Sequence, residues 1–485
     1  MKEGTAVNRW LVLVLVCVAQ FMVVLDATIV NVALPSIQHG LHFTPTSLQW
    51  VVNAYTLVFG GFLLLGGRAA DLLGRQRLFV AGVTLFTVAS LLNGVAPNAG
   101  TLVGGRVLQG LGAALVSPAA LSIVMTTFAE GKERTQALGI WSAIAAGGGA
   151  VGLVLGGLLT DTLSWRWVFF INLPIGIAAI AAAIRYIPES RAEKRPDTAD
   201  VGGAVSVTAG LLLLVFAIVK TQDYGWLSGR TIGLAAVAVA LLVAFVVIEL
   251  RSKAPLIRLG IFRTRSLTSS NLSMLFVMSG LFGMFFFASI YVQEILHYSP
   301  LKAGVAFVPI TGGIVIGAGL AQQAIVRFGV RSVSVFGMAM ATAGLVLLGM
   351  IPTHGTYMAD LFPGLMLMSI GMGLTFVPVT LIATTNIDSD DAGLASGIFN
   401  TAQQVGGAIG LAALSTLAAS RTSHVLGGTA SPSSDRHAAA LVDGFQAAFY
   451  AGAGLMAVAA VLVAVLIRRA DVAQIQAAEP VPVSA

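Results

Sequence analysis

Charge is what this 485-residue chain has least of: Asp, Glu, Lys and Arg make up 10% of it, whereas a soluble chain uses about a quarter. That scarcity excludes a water-covered globular surface, and with 57% hydrophobic residues it makes lipid the solvent. Cysteine is nearly absent too. Cys17 is the only one and sits in an apolar run, which excludes an internal disulfide and a cysteine-based metal site. No Gly-rich run continues into the Gly-Lys-Ser/Thr of a phosphate-binding loop, so ATP is not the expected energy source. The net charge of +6 comes from short basic clusters between apolar runs, with no basic domain or aromatic-rich face, and nucleic acid is excluded as a partner. No cofactor and no metal is implied.

What is present is a succession of long apolar runs. A helix needs about 20 apolar residues to cross a bilayer, and runs of that size lie at 10–34, 48–67, 78–96, 101–128, 136–160, 167–186, 201–219, 231–250, 267–293, 303–326, 332–351, 360–385, 393–420 and 445–467. They predict an all-α polytopic membrane protein with fourteen transmembrane helices; the runs lack the alternation of a membrane barrel. The first run follows Lys2 and Arg9 but is too long for a secretory signal, and further spans follow it. With the N-terminus inside, 20 of the 27 Lys and Arg fall in internal segments and six in external ones, leaving Arg106 alone within a span. The asymmetry predicts an even number of crossings and two cytoplasmic termini, in the cell membrane.

The two halves of the chain repeat. Gly139-Ile140-Trp141-Ser142 leads into Gly148-Gly149-Ala150-Val151-Gly152-Leu153, and Gly397-Ile398-Phe399-Asn400 leads at the same spacing into Gly406-Gly407-Ala408-Ile409-Gly410-Leu411, an offset of 258 residues. Pairing the fifth run with the thirteenth makes runs seven and eight an insertion. The expected layout is a six-helix bundle at 1–190, an inserted helical hairpin with flanking loops at 191–260, a second six-helix bundle at 261–470 and a tail at 471–485. Paired bundles around a site near the midplane are a common plan for secondary transporters.

Several segments carry chemistry. Gly67-Arg68-Ala69-Ala70-Asp71-Leu72-Leu73-Gly74-Arg75-Gln76-Arg77 joins the second and third runs and resembles the signature loop of the major facilitator superfamily. Gly67 and Gly74 suit close approach and a tight turn; Asp71 suits a helix N-terminus, where it could pair with Arg75. The loop is expected to act as a cytoplasmic gate. Leu25-Asp26-Ala27-Thr28-Ile29-Val30-Asn31-Val32-Ala33-Leu34-Pro35 resembles the first-helix signature of the fourteen-helix drug:proton antiporter family within that superfamily. Asp26 lies about eight residues from the external end of its run, roughly 12 Å deep, and an acid there costs on the order of 3 kcal/mol and is a functional candidate by default. Gly105-Arg106-Val107-Leu108-Gln109-Gly110-Leu111-Gly112 resembles the fourth-helix motif, whose arginine the family implicates in proton transfer. Arg106 falls at a depth of roughly 9 Å and can pair with Asp26.

Gly148, Gly152 and Gly156, with Gly149 and Gly157 alongside, strip one helix face of side chains so that another helix can approach. This resembles the family's antiporter motif, except that Leu153 stands where the motif has proline. Further similarity lies in Ser164-Trp165-Arg166-Trp167-Val168-Phe169-Phe170-Ile171-Asn172-Leu173-Pro174 and in Tyr291-Val292-Gln293-Glu294 with the following Tyr298-Ser299-Pro300-Leu301-Lys302-Ala303-Gly304. The resemblance covers nearly the whole chain. Glu294 is a second protonation candidate beside Asp26 and Arg106. Asn31, Asn400, Gln403 and Gln404 are candidates to line a substrate cavity.

The resemblance implies an exporter of hydrophobic or amphiphilic drugs and antibiotics, driven by exchange for protons and working as a monomer. The residues alone reach only a two-bundle transporter with a buried acid. The alternative is a proton-coupled or facilitated transporter of another small metabolite. A membrane enzyme would need carboxylates or histidines gathered at a loop, and Asp435, His437 and Asp443 stand among residues typical of a flexible connection; a sensor remains a further alternative.

Overall fold

The computed structural model describes residues 8–128, 131–190, 200–252, 255–384, 387, 392–427 and 433–468. The predicted tail at 471–485 and residues 191–199 of the predicted inter-helix linker lie outside the described residues. Within them every regular element is a helix, as hydrocarbon demands of a backbone that must satisfy its own hydrogen bonds. The long helices of the first half are α1 (Arg9–Leu41), α2 (Trp50–Leu73), α3 (Arg75–Gly94), α4 (Ala99–Thr127), α5 (Lys132–Thr162), α6 (Asn172–Tyr186), α7 (Val201–Tyr224) and α8 (Gly229–Arg251). Those of the second are α9 (Arg265–Ile290), α10 (Pro300–Phe328), α11 (Val330–Leu348), α12 (Phe362–Thr384), α13 (Ala392–Leu426) and α14 (Ser434–Leu466). Polar side chains mark their starts: Asn8 accepts from the Trp10 amide at 3.1 Å, Asn98 from Thr101 at 2.9 Å and Ser228 from Thr231 at 3.1 Å, each satisfying an otherwise orphaned first-turn donor.

Among the described residues, twelve helices are long and apolar enough to cross a membrane. The two long helices outside that set are α5, with 31 residues, and α13, with 35. They are the pair that the internal repeat matches.

The chain divides into two compact units, Met1–Leu256 with His297–Val308, and Ile257–Leu296 with Pro309–Ala485. The hairpin α7–α8 belongs to the first. Its inner helix α7 presses on α2, where a Cβ on Gly61 would come within 2.2 Å of Thr208 Oγ1. Its outer helix α8 has only 11% of its most apolar stretch buried, so most of its apolar surface is left for lipid.

Polar contacts between helix ends fix an up-and-down course within each unit. In the first, Arg9 at the start of α1 pairs with Glu133 at the start of α5 at 3.2 Å. Gln76, at the start of α3, donates to the Ala183 carbonyl near the end of α6 at 3.1 Å. At the opposite side Arg166 donates to the Gly94 and Ala96 carbonyls at 3.0 and 2.8 Å, covering acceptors left open at the end of α3. In the second unit Arg265 and Arg331, at the starts of α9 and α11, donate to the Leu466 and Ala464 carbonyls at the end of α14. Arg421 meets Asp443 at 2.7 Å on the other side.

The first helix departs from the expectation that it ends near Leu34. It runs through Pro35 to Leu41 and stops where His42 takes a left-handed conformation, φ 56°. A proline inside a membrane helix is tolerated where neighbouring helices and local adjustment absorb the lost bond, and the extra turns are buried against the loop that carries Trp165: a Cβ on Gly40 would lie 2.6 Å from Trp165 Nε1. Asp26 is therefore fifteen residues from the helix end, roughly 22 Å along the axis and not 12 Å.

Candidate functional site

Asp26 lies midway along α1 with none of its surface exposed, and Arg106, on the second turn of α4, is 1% exposed. A lone charge at that depth would be costly, so each needs a partner and further hydrogen bonds. The fold supplies them. Arg106 Nη1 donates to Asp26 Oδ2, forming a fully buried ion pair. Arg106 Nε donates to the Val51 carbonyl of α2 at 2.8 Å, and the guanidinium carbon lies 4.2 Å from the centre of the Tyr55 ring, where the ring's negative face attracts a cation.

Two amides complete the carboxylate's shell. Gln109 stands one turn beyond Arg106, on the same face of α4, and donates through Nε2 to Asp26 Oδ1 at 2.8 Å. Asn172, the first residue of α6, donates to the same oxygen at 2.9 Å. Gln109 also bonds Ser90 Oγ at 2.7 Å, receives Arg106 Nη1 at 2.9 Å and receives the amide of Asn93. The result is one buried network that draws on α1, α2, α3, α4 and α6. Two of its acceptors, Asn93 Oδ1 and Asn172 Oδ1, have no hydrogen-bond partner. Buried polar atoms are satisfied in the great majority of cases, so this network holds unused capacity to accept a hydrogen bond.

Sequence reasoning anticipates the pairing of Asp26 with Arg106 and misses Gln109, Asn172, Ser90, Asn93 and Tyr55. Gln109 could have been found from its three-residue spacing to Arg106, and Asn172 from its place in the run that also supplies Arg166. Ser90, Asn93 and Tyr55 carry no such signal.

The glycine face of α5 packs on α1 beside this network. A Cβ at Gly152 would fall 2.1 Å from Thr28 Oγ1, and one at Gly156 would fall 2.6 Å from the Ile29 carbonyl. At Gly148 the contact is looser, 3.3 Å to Phe21 and Val24. Gly157 faces another way: its Cβ would lie 2.5 Å from the Pro300 carbonyl, and a Cβ on Gly304 would lie 2.3 Å from the carbonyl of Leu153. The residue in place of the motif proline thus presents its backbone to the first turn of α10.

The loop between α2 and α3 holds one surprise. Gly74 has φ +108° and lies against Glu189, whose Oε1 would be 2.4 Å from an added Cβ; its turn is fixed further by the Arg75 amide donating to Ser190 O at 3.0 Å. Arg77 pairs with Glu189 at 3.4 Å. The close helix approach expected at Gly67 occurs one residue earlier. A Cβ at Gly66 would meet the Ala114 carbonyl at 2.0 Å, whereas one at Gly67 would find its nearest neighbour, Pro118, at an ordinary 3.8 Å. Helical rotation of about 100° per residue turns Gly67 off the line of closest approach, leaving it only an ordinary contact with α4. The side chain of Asp71 lies outside the described residues.

The other candidates are dispersed. Glu294 belongs to the second unit, on the π-helical turn Tyr291–Ile295 that ends α9. Asn31 is half-buried on α1, where its amide bonds back to the Ala27 carbonyl at 3.2 Å. On α13, Asn400 is exposed and bonds back to Ser396 at 3.0 Å, with Gln403 and Gln404 half-buried nearby.

Comparison with known proteins agrees with this architecture. The chain is 41% identical to the puromycin resistance protein pur8 of Streptomyces alboniger, covering 96% of this chain and 92% of that one. It is also 41% identical to the cephamycin export protein CmcT of Amycolatopsis lactamdurans, over 87% of each chain. Among solved structures, the peptide-transporter-family protein PepTSo matches with a TM-score of 0.69 at 15% identity, over 96% of this chain and 98% of that one, which speaks for the fold alone. The profile of the Major Facilitator Superfamily matches residues 16–411, and the chain belongs to that superfamily of membrane transporters.

Proposed function

We propose that this transporter exports hydrophobic or amphiphilic small molecules, antibiotics among them, in exchange for protons by alternating access. The observation that carries the reading is the Asp26–Arg106 pair, buried with its two amide donors in a chain otherwise poor in charge. The names of its relatives, resistance and export proteins for puromycin and cephamycin, supply the class of cargo. A buried acid paired with an arginine suits proton carriage, because taking up a proton would remove the charge that pairs with Arg106 and let the surrounding helices repack. Asp26 takes the proton, Arg106 is its ion-pair partner, and Glu294 is a second site of protonation. Asn31 in the first unit, and Asn400, Gln403 and Gln404 in the second, are candidates to contact the cargo.

The reading includes fourteen crossings of the cell membrane with both termini in the cytoplasm, and two six-helix bundles with an inserted hairpin. Gly148, Gly152 and Gly156 pack α5 on α1 and Gly157 packs it on the start of α10 as the antiporter-motif glycines, and Gly67, Asp71, Gly74 and Arg75 form the cytoplasmic gate. The chain works as a monomer. The test is efflux of a panel of dyes and antibiotics from proteoliposomes under an imposed proton gradient. Gradient-driven efflux of amphiphilic members supports the reading; movement only down the cargo's own gradient removes proton exchange, and movement of polar metabolites alone removes drug export.

A further inference from the structure

We propose that the second unit carries a binding groove for one anionic phospholipid, between α10 and α11, with the lipid phosphate on Arg327. Both walls are seated deep on α12, because glycine lets the backbones touch. A Cβ on Gly317 would lie 2.2 Å from the Ile370 carbonyl, one on Gly373 2.2 Å from the Ile314 carbonyl, and one on Gly344 2.5 Å from the Met368 amide. With both helices held down on α12, a cavity of about 780 Å³ is left between them. Its lining includes Leu320 and Ala324 of α10, Phe336 of α11 and Leu374 of α12.

The polarity of the groove runs along its length. Its lining is apolar toward the middle of the helices, and Gln323, Arg327 and Ser332 lie at the end where α10 turns into α11. Phe328 is 68% and Phe336 63% exposed, so the apolar part opens outward to hydrocarbon. Arg331, four residues on, is committed to the Ala464 carbonyl. Arg327 is exposed, and no ion pair of it is found among the described residues.

An apolar channel ending in a cation at the membrane boundary complements a molecule with an acyl chain below and a phosphate above. The phosphate oxygens can take a forked pair of bonds from the guanidinium, and basic pockets between helices on the cytoplasmic side hold anionic headgroups. The Lys and Arg distribution assigns Arg327 to that side. A cationic drug is repelled by the same charge, and a zwitterionic lipid gains less from it.

The test uses the purified full chain in detergent, exposed to equal amounts of phosphatidylglycerol and phosphatidylcholine of the same chain length. Native mass spectrometry counts the lipids retained, and phosphatidylglycerol with a photoreactive acyl chain reports where they sit. One phosphatidylglycerol should be retained in preference to phosphatidylcholine by about fivefold, with crosslinks to 320–336. Arg327→Ala should bring the preference to near unity and Arg327→Lys should keep part of it, while Arg263→Ala, an exposed arginine before α9, should leave it intact. Equal retention of the two lipids, a preference that survives Arg327→Ala, or crosslinks elsewhere would overturn the proposal. So would displacement of the crosslink by an amphiphilic dye in preference to an added anionic lipid.

Discussion

The two units share a packing plan and fill it with opposite chemistry. In the first, the glycine face of α5 lies on α1, with Gly152 against Thr28; in the second, the matching glycine face of α13 lies on α9, where a Cβ on Gly406 would fall 2.4 Å from the Leu275 carbonyl and one on Gly410 2.2 Å from Ser279. The first unit then buries a carboxylate, a guanidinium and their amide partners at the meeting of α1 and α4. Their repeat counterparts α9 and α12 carry no charged residue apart from Arg265 at the start of α9. Met274, Met278, Met284, Phe286 and Phe287 are buried there, and the Phe287 ring lies tilted against Phe445 at 5.7 Å and edge-on to Phe449 at 6.1 Å. Its buried hydroxyls turn back on the backbone, as Ser273 does to Ser269 at 2.8 Å. Duplicated architecture therefore preserves how helices touch, because that is set by small residues, and leaves the interior free to diverge. Where the first unit buries its ion pair the second packs apolar side chains, and the second unit's candidate acid, Glu294, lies beyond α9 on the turn Tyr291–Ile295.

The largest effect that would sharpen this contrast is at Asp26. Asp26→Asn removes the titratable group at nearly constant volume and leaves amide hydrogen-bonding capacity for Gln109 and Asn172. Gradient-driven efflux should fall to background; because Arg106 also loses its counter-charge, efflux is compared per molecule of folded protein recovered in the membrane. Uphill efflux by a well-folded Asp26→Asn protein would remove the proton from the first unit and dissolve the division of labour.

Next comes Arg106→Leu, which leaves Asp26 buried without its counter-charge. Breaking a buried pair from one side costs about 3–5 kcal/mol, read as a lower melting temperature of the detergent-solubilised protein. The double variant Asp26→Leu with Arg106→Leu should recover most of that stability but no proton-driven efflux, since an apolar replacement of both charges removes the desolvation cost as well. If the double variant were as unstable as the single one, the loss would lie in packing around Arg106 and not in the charge left behind.

How much of this was legible beforehand depended on the kind of residue. Charges in apolar runs stand out because nothing in lipid makes them cheap, so Asp26 and Arg106 were found and paired. Amides do not stand out. Gln109 and Asn172 could equally have been ordinary interhelical bonds, and the chosen amides Asn31 and Asn400 bond back to their own helices. Glycines announce close packing but not its direction: close approach is expected at Gly67, and the tight contact falls on its neighbour Gly66. The end of α1 was misplaced because Pro35 reads as a stop, and a proline's consequence is decided by what surrounds it. The middles of the helices were readable, since a long apolar run in lipid has few other ways to satisfy its backbone, but polar ends were not: α14 begins at Ser434, so Asp435, His437 and Asp443 are helical and not part of a flexible connection.

The shared plan predicts a pair of matched effects. Gly152→Ala and Gly410→Ala each force a methyl group into a contact of close to 2 Å, so each should destabilise by about 1–3 kcal/mol. Gly139→Ala, where nothing lies within 4 Å, should be silent or slightly stabilising, because alanine favours helix over glycine. Thermal unfolding of the three variants side by side checks this. A large loss at Gly152 with none at Gly410 would mean that the repeat preserves sequence without preserving the contact.

The smallest expected effect tests the second unit's interior. Met284 lies within α9 and is 1% exposed, in the apolar interior of its unit. Met284→Leu keeps the volume and the apolar character, and such exchanges cost under about 1.5 kcal/mol. Methionine's flexible thioether fills irregular space that branched leucine cannot follow as closely, so a small loss of stability is expected, with no change in the dependence of efflux on the imposed proton gradient. Efflux driven by the proton gradient, compared with efflux down a cargo gradient alone, separates the two: Met284→Leu should move both rates together if it moves either. A selective loss of the gradient-driven rate would mean that coupling runs through the second unit's core as well, and that the apolar half does more than repack.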